Sequence, residues 1–97
     1  MASVATCRAG ERTRSVVMVT CPEAHILDVV GPLEVLTGTR FFLPDGPAPY
    51  SVTVVASQAG TVPTTSGLVL TAHRAFADIR PEAAPIDTLI VSGGLGA

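Results

Sequence analysis

Two carboxylates, Asp28 and Glu34, stand inside an otherwise apolar run at residues 26–36 (I-L-D-V-V-G-P-L-E-V-L). An acid in apolar surroundings can hold or release a proton, or accept hydrogen bonds from a ligand. Each also has a plainer reading: Asp28 as a cap on the next helical turn, Glu34 as a solvated helix residue. A second feature is the G-G-L-G run at 93–96, which follows an apolar stretch. Glycine lets backbone N–H groups approach an anion closely, so the run resembles an anion cradle. It is not a dinucleotide fingerprint, because the G-x-G-x-x-G spacing is absent and its strand is not the first.

The remaining reactive side chains form no constellation. His25 and His73 have no partner at metal-ligand spacing, so no metal site is expected, and each suits a surface or capping role. Cys7 and Cys21 fit neither a metal spacing nor a disulfide framework, and Cys21 reads as an apolar filler. Ser66 and Ser92 lack a histidine and acid in a triad-like arrangement. No cofactor is expected.

The elements that must position Asp28 and the glycine turn can be read from periodicity. Residues 15–20 (S-V-V-M-V-T) are apolar on both faces, as in a parallel strand covered on both sides. Residues 25–38 read as a helix with Ile26, Leu27, Val30, Leu33 and Leu36 near one stripe. Pro32 should split or kink that helix, restarting it at Gly31-Pro32, and Gly38 should stop it. A loop at 40–49 leads to a second strand at 50–57. A small hairpin joins 61–65 to 68–71 around Ser66-Gly67. At most a turn or two of helix covers 75–79, and a third apolar strand spans 87–92. The order indicates a flavodoxin-like α/β fold, a parallel sheet flanked by helices.

Ninety-seven residues allow one domain, with residues 1–14 a flexible tail and 15–97 the folded part. Arg8, Arg12 and Arg14 in that tail are able to meet a phosphate. The chain is 47% hydrophobic and 14% charged, with no Trp, so its core must be aliphatic. All six basic residues are Arg, and the net charge of −2 argues against nucleic-acid binding by these residues alone. The sequence offers neither a membrane span nor a signal peptide, and a soluble, cytoplasmic protein is expected.

Four blocks together resemble the DJ-1/PfpI superfamily, related in fold to class I glutamine amidotransferases. They are L-D-V-V-G-P-L-E-V-L at 27–36, Y-S-V-T-V-V-A at 50–56, V-P-T-T-S-G-L-V-L at 62–70 and I-D-T-L-I-V-S-G-G-L-G at 86–96. The chain looks most like the N-terminal sensor domain of AraC-type (GlxA-like) regulators. The resemblance implies that Asp28 lies in the cleft, acting as an acid only if the protein is an enzyme. It implies that Gly93 and Gly94 line the cleft, with the Gly94 N–H serving an oxyanion-type role, and that Glu34 is a helix feature. The family's cysteine elbow would fall beyond Ala97, as would the helix-turn-helix modules that bind DNA. The chain is then the incomplete N-terminal half of a domain sensing a small-molecule effector, and not an enzyme by itself. The alternative is a fragment of a Cys-dependent isonitrile hydratase or amidase. Such a half-sheet should leave apolar faces at 16–19 and 89–91 partly open, and self-associate.

Overall fold

The computed structural model describes residues 12–43 and 45–95. Strand β1 (Arg14–Val19) is central, β2 (Tyr50–Ala56) and β6 (Thr88–Val91) flank it, and the two-residue β5 (Arg74–Ala75) lies beyond β2. All pairings in this β5-β2-β1-β6 sheet are parallel, with Val19 opposite both Val55 and Val91. The carboxyl ends of β1, β2 and β6 therefore share one edge. A separate antiparallel hairpin pairs β3 (Gly60–Pro63) with β4 (Val69–Ala72).

One face of the sheet is closed by helix α1 (Ile26–Gly38) and the hairpin. Met18, Val54 and Ala56 from the sheet meet Val29 from α1 and Val62 and Ala72 from the hairpin. Leu33, Val52, Leu70 and Ile90 pack around that cluster. These β1 and β2 residues are even-numbered, as period-two alternation requires of one face. The odd face is covered in part by the segment after β5, where Ile79, Ala83, Ala84 and Ile86 border an open cavity of about 450 Å³ against Val17 and Thr53. Val17 and Val55 are buried, whereas Leu89 is 59% and Val91 66% exposed.

Helix α1 departs from the expected break at Pro32. It runs unbroken from Ile26 to Gly38 with Pro32 inside. Proline removes only the bond its N–H would have donated four residues back, to the Asp28 carbonyl. Val29 and Leu33, on either side of that gap, both pack on the core and hold one register. The apolar stripe is also rotated from expectation. Val29 is the fully buried residue, while Leu27 is 73% exposed. Gly38 ends the helix without a left-handed turn: its φ is −69°, and the chain continues into a 3-10 turn over Thr39–Phe41. Thr37 and Thr39 donate their hydroxyls to the Leu33 and Leu36 carbonyls there.

The first basic residues do not act alike. Arg8 falls outside the described residues. Arg14 opens β1, and Arg12 forms a two-pronged pair with Asp87 at 2.6 and 2.7 Å. Asp87 also accepts the Ser15 N–H at 2.7 Å, so it clamps the start of β6 to β1. The Arg12 guanidinium and the Ser15 N–H hold its carboxyl well below the usual carboxylate range. The helical expectation for 75–79 reduces to a 3-10 turn at Phe76–Asp78. No helix among the described residues is long and apolar enough to cross a membrane.

Candidate functional site

Strand order dictates where a site belongs. The chain leaves β1 for β2 on one side and later reaches β6 on the other. The space outside the carboxyl ends of β1 and β6 is therefore a topological switch point, where open α/β sheets place their ligands. Residues 22–25 and 92–95 emerge there.

Those two segments are stitched together by backbone bonds. His25 N–H donates to the Gly93 carbonyl at 3.1 Å, and Leu95 N–H donates to the Glu23 carbonyl at 3.0 Å. On its other side the same segment holds the hairpin: Glu23 N–H donates to the Pro63 carbonyl at 2.8 Å, and Thr65 N–H to the Ala24 carbonyl at 3.1 Å. Ala24, fully buried, is thus the middle rung between the hairpin end and the glycine turn. Glu23 carries the strain of this path, with φ at +63°, the only positive value at a non-glycine among the described residues. Such strain is held in place only where the surroundings over-determine it, and it concentrates at functional sites.

The glycine pair answers a steric demand. At Gly94 (φ +147°) a Cβ would stand 2.5 Å from Ala24 Cα and 2.6 Å from the Glu23 carbonyl oxygen. No side chain fits against that backbone. At Gly93 the obstacle is different: a Cβ would meet Asp28 Oδ2 at 2.9 Å. The third residue of α1 therefore sets its carboxylate directly over the turn. His25, the residue before α1, makes no side-chain cap, and its Nδ1 lies 3.2 Å from the Thr65 hydroxyl. Asp28 is exposed, so the carboxylate is open to a ligand. Neither the Gly93 nor the Gly94 N–H donates to an acceptor among the described residues. A carboxylate acceptor beside free backbone donors can hold a neutral polar group that has both an oxygen and an N–H, such as an amide.

Of the residues singled out from sequence, Asp28, Gly93 and Gly94 come together. Glu34 is exposed further along α1, away from the first turn. His73 serves β2: its N–H donates to the Val54 carbonyl at 2.7 Å and its Nδ1 accepts the Val54 N–H at 2.8 Å. Ser92 donates to the Thr20 hydroxyl at 3.3 Å, and Ser66 pairs with Thr64 at 3.0 Å. Cys21 is half-buried and lines a cavity of about 360 Å³ with Val19, Pro22, Phe76 and Val91, on the odd face beside the site. Cys7 lies outside the described residues. No cluster of three or more His, Cys, Asp or Glu able to hold a metal occurs among the described residues. Glu23, Ala24 and Thr65 were not singled out, although Pro22 directly after a strand marks a backbone that must leave the ladder there.

Comparison with solved structures places this arrangement. Residues of this chain superpose on an AraC family transcriptional regulator from Pseudomonas putida with a TM-score of 0.66, at 20% identity over 84% of this chain and 41% of that one. A THiJ/PfpI family protein from Pseudomonas syringae gives 0.65, at 19% identity over 86% and 30%. A ThiJ/PfpI domain protein from Brachyspira murdochii gives 0.64, at 14% identity over 89% and 44%. The chain has the ThiJ/PfpI fold. It spans less than half the length of each of these three structures. No family model and no curated protein matches the sequence. The ThiJ/PfpI fold is thus carried here by a four-stranded parallel sheet, one long helix and a hairpin, with Asp28 and the glycine turn at its switch point.

Proposed function

We propose that this chain forms part of a small-molecule-sensing ThiJ/PfpI-type domain of an AraC-type transcriptional regulator. The effector lies at the carboxyl ends of β1 and β6, with Asp28 accepting its N–H and the Gly93 and Gly94 N–H groups donating to its oxygen. The observation that carries this reading is the Asp28 carboxylate seated against Gly93 at the switch point. The likeness in fold to an AraC family regulator supports the regulatory side of it. DNA contact belongs to residues outside this chain, since the charge here is −2 and duplex binding needs a basic face.

The same arrangement has an enzymatic reading, favoured by the free Gly94 N–H. A backbone donor of that kind stabilises an oxyanion, with Asp28 managing the proton of a cysteine nucleophile supplied by residues beyond this chain. The two readings separate on turnover. Incubation of the whole regulator, with the residues beyond this chain included, with an alkyl isonitrile and with a simple primary amide should give no product above the uncatalysed rate. Turnover that disappears in Asp28→Ala overturns the sensor reading in favour of a hydratase or amidase.

A further inference from the structure

The side of β2 that faces away from β1 is finished by a side chain. The Val54 carbonyl accepts the His73 N–H at 2.7 Å, and the Val54 N–H donates to His73 Nδ1 at 2.8 Å. Strand β5 follows at once, with only Val55 opposite Arg74 and Ala56 opposite Ala75. The imidazole therefore stands where a further rung of that short ladder would lie. Val54 is 3% exposed and belongs to the core cluster, whereas His73 is open to solvent. A ring nitrogen that accepts a hydrogen bond carries no proton, so the contact requires the neutral Nε2–H tautomer.

Protonation turns both ring nitrogens into donors and removes the acceptor. The Val54 N–H, in an almost fully buried residue, is then left facing a donor. No charged neighbour offsets that loss. Around the ring β2 has Tyr50 as its one titratable residue, β4 has none, β5 has Arg74, α1 has Asp28 and Glu34, and the turn after β5 has Asp78. None of these carboxylates pairs with the ring, since the one ion pair among the described residues is Arg12–Asp87. Arg74, next along the chain, is a cation and offers an imidazolium no attraction. We propose that His73 is an acid-released latch on β5. Neutral, it fastens β5 to β2; protonated, it lets Val54 go, and the two-residue strand loosens together with the turn that follows. Phe76 opens that turn and stands beside Cys21 at the carboxyl end of β1, so release reaches the surroundings of the switch point. The latch does not depend on what the site binds.

Imidazole 15N–1H correlation and amide hydrogen exchange test the latch, on the whole protein with the residues beyond this chain included. At about pH 7.5 the His73 ring should show the Nε2–H tautomer. Between about pH 7.5 and about pH 5, a range spanning the ordinary imidazole titration, the Val54 amide should lose about tenfold in protection after correction for intrinsic exchange. Met18, in the same core but on β1, should keep its protection, which separates local release from general acid unfolding. These two readings come from the wild type and stand without any variant. His73→Asn sets an acceptor oxygen where Nδ1 stood and has no proton to gain, so in it Val54 should stay equally protected at both pH values. His25 remains in that variant, so the comparison isolates His73. An Nδ1–H tautomer at neutral pH, an unchanged Val54 protection, an equal fall at Met18, or a fall that persists in His73→Asn overturns the proposal.

Discussion

The even-numbered and odd-numbered faces of the sheet began as nearly equivalent sequence and ended in different states. β1 is apolar on both faces, and so is β6 apart from its first residue. On the even face Met18, Val54 and Ala56 are closed over by Val29 of α1 and by the hairpin. On the odd face Val17 and Val55 are buried, yet Leu89 and Val91 stand open and two cavities border the sheet. A strand hydrophobic on both sides states a need for cover, and only local pieces such as an adjacent helix tell which side receives it. The expectation that 16–19 would be partly open fails for this reason at Val16, Val17 and Met18, which are all buried, and holds only at the half-buried Val19. The same expectation for 89–91 holds at Leu89 and Val91.

The largest effect should come from the closed face. Met18→Ala removes a side chain with no exposed surface, and a cost of about 2–5 kcal/mol is expected in urea unfolding. Leu89→Ala on the open face, measured where the chain is monomeric, should stay within about 0.5 kcal/mol. Equal costs would abolish the contrast between the faces.

At the glycine turn the contrast is between backbone and side chain as obstacle. Gly94→Ala drives a methyl into Ala24 Cα and the Glu23 carbonyl at a positive φ, and should cost about 1–3 kcal/mol. Gly93→Ala meets only the Asp28 carboxylate, which can swing aside, so stability should change by less than about 1 kcal/mol while ligand binding is lost. Swapped effects would mean the turn is wrongly oriented.

The smallest effect concerns the clamp at the start of β6. The folded Asp87 carboxyl is more acidic than its unfolded counterpart, so its contribution to stability is complete above about pH 4. It is lost as the pH falls from there through the depressed folded value, where the carboxyl is protonated in both states. Asp87→Asn should flatten that part of the stability profile, and an unchanged profile would show that the Arg12 pair contributes nothing.

Periodicity made the parallel strands legible, because residues 15–20, 50–57 and 87–92 are short apolar runs bounded by turn formers. The observed strands lie within a residue of those limits. The hairpin was legible from Ser66-Gly67 between two alternating stretches, and Gly67 indeed takes φ +89°. Pro32 misled because local propensity speaks for one turn of helix, whereas Val29 and Leu33 bind both halves to the same core. The roles of Glu23 and Ala24 were invisible for a related reason. Three backbone bonds join them to residues 63, 65 and 95, and backbone bonding over such separations leaves no side-chain pattern. Asp87 looked like a strand residue because nothing near it in sequence marks Arg12 as its partner.

Asp28 and the Gly93-Gly94 turn are proposed to form one ligand site. Its most direct measurement is a 15N–1H correlation titration of the full chain with isobutyramide, a small primary amide that offers one carbonyl oxygen and one NH2 group. The Gly93 and Gly94 amide signals should move together and saturably, and Asp28→Ala should weaken that response about tenfold, the value of one hydrogen bond to a charged acceptor. Signals that stay still at saturating amide, or that move equally in wild type and Asp28→Ala, would contradict it.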